Sequence, residues 1–148
     1  MKGKEVTMAI QLARITQRQA PQFRALIVND EDGSLFDPSQ LATQHDLDDE
    51  GIDAFPISCS VYKSTNSIAP YSFSTSQATP VSGFTNVEIS PDAFIDVSGV
   101  EDPAYNFAVV LENRANFAFE ESGVYFVDFL LYPKTGAALA WRVGVEVG

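Results

Sequence analysis

Where apolar side chains recur regularly they do so at every second position, and this dominant period of two is the feature that most limits how the chain can fold. Over Leu139–Val147 the odd positions hold Leu139, Trp141, Val143, Val145 and Val147, and the even positions hold Ala140, Arg142, Gly144 and Glu146. An extended strand sends alternate side chains to opposite faces, so this stretch is a strand with one buried and one wet face. Residues 105–112 repeat the pattern, with Tyr105, Phe107, Val109 and Leu111 on the apolar face and Asn106, Ala108, Val110 and Glu112 opposite. Residues 57–62 set Ile57, Cys59 and Val61 against Ser58, Ser60 and Tyr62. Residues 22–28 and 84–89 read as two further strands. No stretch carries the 3.6-residue period of an amphipathic helix for more than about two turns, and no internal repeat is present.

Residues 124–132 depart from simple alternation. Tyr125, Val127, Phe129 and Leu131 fill one face, while Val124, Phe126 and Leu130 crowd the other with Asp128 as its polar member. A strand apolar on both faces is either covered twice or displays a contact surface. The second alternative makes Val124, Phe126, Asp128 and Leu130 a partner-contact face. Pro133, Lys134, Thr135 and Gly136 follow; Pro presets φ and Gly accepts positive φ, so residues 123–147 read as a β-hairpin. Residues 29–33 (Asn-Asp-Glu-Asp-Gly) form a tight turn. Residues 38–43 read as a short helical turn capped by Asp37, with Pro38 in its first position. The acidic residues 44–53 carry no period and read as loop, and the Ser/Thr/Pro-rich residues 64–82 read as a long loop or irregular edge strand. Ser90, Pro91 and Asp92 mark a turn or helix start.

Seven or eight short strands with turn signals roughly every dozen residues predict an all-β fold, an immunoglobulin-like antiparallel sandwich. The 148 residues suffice for one such domain with a core of its own, supplied with eleven Phe, five Tyr and one Trp. Residues 1–7 read as a disordered tail ahead of it, and Met8 as an alternative start. Gly123 and Tyr125 match an immunoglobulin-like corner, in which Gly-x-Tyr opens a late strand and the Tyr hydroxyl bonds back to the backbone just upstream. Val127 stands where an antibody domain has its second Cys, in keeping with a sandwich that lacks a disulfide; Cys59, the single cysteine, reads as a small buried strand residue.

The polar composition narrows function by exclusion. Nine Lys and Arg stand against 20 Asp and Glu, a net charge of −11, which repels phosphate backbones and argues against nucleic acid as a partner. No run approaches the roughly 18 apolar residues of a membrane span. The basic N-terminus lacks an apolar h-region, so no signal peptide is expected and synthesis ends in the cytoplasm. One His and one Cys leave no transition-metal set. His45, beside Asp46, would need a nucleophile and an orienting group from elsewhere to act as a base. Asp46, Asp48 and Glu50 before Gly51 echo the first half of a calcium loop, but Ile57 falls where the bidentate Glu should stand. Asp30, Asp32 and Asp37 form a second acidic group. No pair of carboxylates is singled out for glycoside hydrolysis, and no nucleophile elbow, phosphate loop or dinucleotide turn is present. No catalytic residue, cofactor or metal is therefore assigned. Tyr62, Tyr71, Phe73 and Tyr132 are candidates for stacking on sugars, and a carbohydrate- or calcium-binding adhesion module is the alternative reading.

The segments Ile57-Ser58-Cys59-Ser60-Val61-Tyr62, Ser90-Pro91-Asp92-Ala93-Phe94, Tyr105-Asn106-Phe107 and Gly123-Val124-Tyr125, with the hairpin turn at 133–136, resemble small immunoglobulin-like β-sandwich proteins encoded in phages and prophage-like clusters. The layout of the first half is similar to the amino-terminal domain of phage baseplate upper proteins. The acidic insert at 44–53 and the loop at 64–82 have no counterpart in that pattern. The resemblance implies a non-catalytic virion component, of tail, baseplate or head, that packs against other protein chains, a second copy among them. It transfers no functional residues.

Overall fold

The computed structural model describes residues 11–29, 32–66, 73–111 and 117–148. The expected tail at 1–7 lies outside them, as do Asp30 and Tyr71. Among the described residues there are eight strands: β1 (Gln11–Ile15), β2 (Gln22–Ala25), β3 (Ile57–Ser64), β4 (Ala78–Pro80), β5 (Val87–Glu88), β6 (Phe107–Val110), β7 (Gly123–Leu131) and β8 (Leu139–Val147). The larger sheet runs β1-β8-β7-β3-β4, and β5 pairs with β3 as well; β2 and β6 form a second, two-stranded sheet. The result is an all-β, sandwich-like arrangement without a closed barrel.

The period-two segments became the centre of the molecule. β7 pairs with β8 from Gly123 opposite Val147 to Leu131 opposite Leu139, and with β3 from Lys63 opposite Tyr125 to Ile57 opposite Leu131. The hairpin expected at 123–147 therefore forms, with Gly136 at φ +96° in its connection. Ile57, Cys59, Val61, Tyr125, Val127, Phe129, Leu131, Val143 and Val145 face the small sheet and are buried. Phe23 of β2 and Phe107 of β6 meet them edge-on at Phe129, with ring centroids 5.7 and 6.1 Å apart. Trp141 is half-buried, stacked on Phe129 at 5.1 Å and edge-on to Phe107 at 5.6 Å. Such geometries suit the aromatic quadrupole and add to the apolar burial.

Several sequence expectations change. The sandwich is not wholly antiparallel, because β1 runs parallel to β8, from Gln11 opposite Val143 to Ile15 opposite Val147. Parallel neighbours need a long crossover, and here nearly the whole domain is that crossover. Residues 44–49 are not loop but a short helix, α1 (Gln44–Asp49), with Leu47 buried beneath it. Its start is fixed reciprocally: the Asp46 amide donates to the Thr43 hydroxyl and the Thr43 amide to the Asp46 carboxylate, at 3.1 and 2.9 Å. The strands read over 22–28 and 84–89 narrow to Gln22–Ala25 and Val87–Glu88. Asn106, placed on a wet face by alternation, is buried. The helical turn read over 38–43 narrows to a 3-10 turn at Pro38–Gln40, with the cap as expected: the Asp37 carboxylate accepts from the Ser39 amide at 2.8 Å. The 64–82 region carries the short edge strand β4. Pro91–Ala93 is a single 3-10 turn capped by Ser90.

Candidate functional site

The doubly apolar strand β7 is covered on both faces by this chain. On the side away from the small sheet, Val124 and Phe126 are only 2 % and 0 % exposed. Tyr62 stacks on the Phe126 ring at 5.0 Å, Phe73 meets it edge-on at 6.4 Å, and the Arg142 guanidinium lies 4.4 Å from its centroid. Arg142 grips Asp128 with both arms of its fork, Nε to Oδ1 and Nη2 to Oδ2 at 2.8 Å, and also donates to the Phe73 carbonyl. The bond to Asp128 raises the Arg142 pKa further. Bidentate guanidinium–carboxylate pairing fixes the geometry of both groups, so the Phe73 backbone is held over the sheet. Of the four residues read as a contact face, only Asp128 and Leu130 reach the surface, each half-buried. Tyr62 and Phe73, read as sugar-stacking candidates, are half-buried against Phe126 instead.

The corner is present. The Tyr125 hydroxyl donates to the Glu121 carbonyl at 2.9 Å, and its ring is buried against Phe119. Burial pushes the Tyr125 pKa up. Gly123 begins the strand at φ +146°, a conformation that side chains disfavour. Sequence reading missed Lys63, whose ammonium sits 2.7 Å from the Glu121 carboxylate and 5.8 Å from the centre of the Tyr125 ring. That hydrogen bond raises the Lys63 pKa and holds the Glu121 carboxyl below its usual range. A cleft of about 230 Å³ lies beside it, between Lys63, Pro80, Phe117 and Glu120.

The acidic groups are engaged locally. Asp46 and Asp37 cap their turns, and Asp32 accepts from the amide and hydroxyl of Ser34. His45 pairs with Asp49 at 3.2 Å, one turn apart on the exposed side of α1. Asp46 and Asp48 stand on a helix two residues apart, a spacing that points side chains in different directions, so the half calcium loop read there does not form. Among the described residues, no group of three or more His, Cys, Asp or Glu is arranged to hold a metal ion.

A second cleft lies where the two sheets part. It measures about 240 Å³ and runs between β5 and β6, with Phe84, Val87, Ile89, Val109, Val110 and Leu111 on its walls and Glu88 at its mouth. Among the described residues, Val110 is 41 % exposed, and Leu26, Val28, Ile95 and Val100 are the other large apolar side chains left substantially open. Ile95 hydrogen-bonds through its amide to the Asn106 carbonyl beside β6. In sequence, Val110 shares its face with polar neighbours, so its exposure was legible, but the cleft depends on a distant strand. Among the described residues, no helix is long and apolar enough to cross a membrane. The chain matches no protein-family model, no curated protein and no solved structure.

Proposed function

We propose that this chain is a non-catalytic structural or interaction domain, a phage or prophage virion component of tail, baseplate or head that packs against other protein chains. One observation carries the reading. The distinctive polar side chains act on the fold itself, while several large apolar ones remain open on or just beyond the small sheet. Asn106, Tyr125, Asp46, Asp37 and the Arg142–Asp128 pair each hold backbone or a neighbouring ring in place. Leu26 and Val28 remain open in the segment after β2, and Val110 at the far end of β6, opposite Gln22. Val110 also borders the apolar cleft between β5 and β6, and open apolar surface of that kind is a usual mark of protein contact. The virion assignment is supported by the sequence resemblance given above.

The test is coexpression with the products of the flanking genes, followed by size-exclusion chromatography. Coelution with a neighbouring capsid, tail or baseplate chain is the expected outcome. Neighbours that encode only metabolic enzymes, with coelution of none, overturn the reading.

A further inference from the structure

Part of the cover over the outer face of β7 comes from a segment outside the sheet. Tyr62 lies directly opposite Phe126 across the β3–β7 pairing, and Arg142 directly opposite Asp128 across the β7–β8 pairing. Gly144, opposite Phe126 on β8, brings no side chain to this face. The Phe73 ring comes from elsewhere in the chain to meet Phe126 at 6.4 Å, close to perpendicular. From Phe73 the chain runs through a 3-10 turn, Thr75–Gln77, capped by Ser74, and on into β4. Ser74, Thr75, Ser76 and Gln77 are exposed, and Phe73 is half-buried. Among the described residues, the apolar hold of this segment on the sheet is therefore one ring, and its polar hold lies at its two ends. The Phe73 carbonyl accepts from Arg142 Nη1. The Gln77 carbonyl accepts from the Thr65 amide and hydroxyl at 2.8 and 2.9 Å.

A segment that buries so little opens at a free energy below that of global unfolding, and how often it opens depends on what pins it. Arg142 is built to be that pin. Its Nε and Nη2 are committed to the two oxygens of Asp128, which fixes the plane of the guanidinium. Nη1 is left to the Phe73 carbonyl, and the same group lies 4.4 Å from the centre of the Phe126 ring. One side chain thus touches both the segment and the ring beneath it. We propose that residues 73–77 form a strap that opens and closes over the outer face of β7 as a unit while the sheet stays paired, and that Arg142, positioned by Asp128, is its latch. Opening bares the Phe126 ring, so the exposure of this apolar face is set by one side chain. Lysine cannot do the same work, because an ammonium is a point charge without a planar fork. The device does not depend on the assembly reading above.

Native-state hydrogen exchange on the full chain tests this. The amides of Thr65 and Gln77, bonded to the Gln77 and Ser74 carbonyls, report the strap, and the amide of Val127 reports global unfolding. In the wild type the strap amides should be protected and should exchange with little dependence on denaturant, the mark of a local opening. Arg142→Lys should speed them by about tenfold or more, the size of one lost charge-assisted hydrogen bond, and leave that small slope unchanged. Asp128→Asn, which keeps Arg142 but weakens its anchor, should speed them too. The double variant should add little to Arg142→Lys alone, because Asp128 acts through Arg142. Strap amides that are unprotected in the wild type, or that exchange only with the full unfolding slope of Val127, overturn the proposal. So do strap rates that stay unchanged in Arg142→Lys while Val127 speeds up, since Arg142 would then hold β7 to β8 and not the strap. Fully additive effects of the two substitutions overturn the positioning role of Asp128.

Discussion

Asn106 secures the chain as it leaves β2. Its side-chain oxygen accepts from the Ile27 amide at 2.8 Å, and its amide donates to the Ile27 carbonyl at 2.9 Å, just past the last β2 residue. At 2 % exposure no water replaces those bonds. Asn106→Ala strands the Ile27 N–H, although the carbonyl keeps the Phe36 amide at 2.9 Å. One buried donor left unpaired costs about 1–3 kcal/mol, to be seen as a lower denaturant midpoint with an unchanged slope. Asn106→Asp separates the two bonds. The carboxylate still accepts from Ile27 but faces its carbonyl oxygen without a donor, so the folded state favours the protonated form. Its folded pKa then lies above its unfolded one, the deficit is greatest at neutral pH, and it shrinks as pH falls through the folded value. A deficit equal at pH 4 and pH 7 would refute this account. Tyr125 is the second such residue. Tyr125→Phe keeps the packed ring and removes only the bond to Glu121, again about 1–3 kcal/mol; an unchanged midpoint would show that the corner hydroxyl carries no weight.

Elements differ in how openly the sequence declares them. β3, β7 and β8 were legible because alternation is a local signal and each lies against partners that reward it. Gly123 and Tyr125 were legible for the same reason, since the corner closes over only four residues. α1 was hidden: a six-residue helix holds too few apolar positions to show a period, and Leu47 is its one buried side chain. The available signal was the Thr43-to-Asp46 spacing of a reciprocal cap. β5 and Asn106 were mis-sized and misplaced because their surroundings come from strands distant in sequence. Gly123→Ala tests the start of β7. At φ +146° a side chain costs about 1–3 kcal/mol, and the new methyl would also meet Lys63 Cε at 3.3 Å. The caps carry a pH signature. Hydrogen bonds from the Ser39 and Thr43 amides hold the Asp37 and Asp46 carboxyls below their usual range. As pH falls the unfolded chain takes up these protons first, so the stability they give is full above the unfolded value of about 3.9 and is lost below it. Asp37→Asn with Asp46→Asn should therefore be less stable than wild type at neutral pH, and the gap should close on acidification. A gap that persists to low pH means the carboxylate charges contribute nothing.

The molecule as a whole is organised around one strand. β7 is paired along its full length by β8 and over seven residues by β3, with the small sheet over one face and the Tyr62–Phe126–Arg142 stack over the other. Stability therefore falls outward in both directions across the large sheet. Among the described residues, β1 has a neighbour on one side only, and β4 and β5 contribute three and two residues to the outer edge of β3. Edge elements with few buried side chains open at free energies below that of global unfolding. Native-state hydrogen exchange should then find the slowest amides in the central residues of β7 and β8, exchanging only through global unfolding. The amides of β4 and β5 should exchange through a smaller opening that bares the β5–β6 cleft while β7 stays closed. The measurement is the dependence of exchange on denaturant. Amides of β5 should show little slope at low denaturant, and those of Val127 and Val143 the full unfolding slope. If β5 exchanges with the same slope and free energy as Val127, the outer edge and the centre of the large sheet belong to a single cooperative unit. The cleft is then a rigid feature of the native state and not a locally opening one.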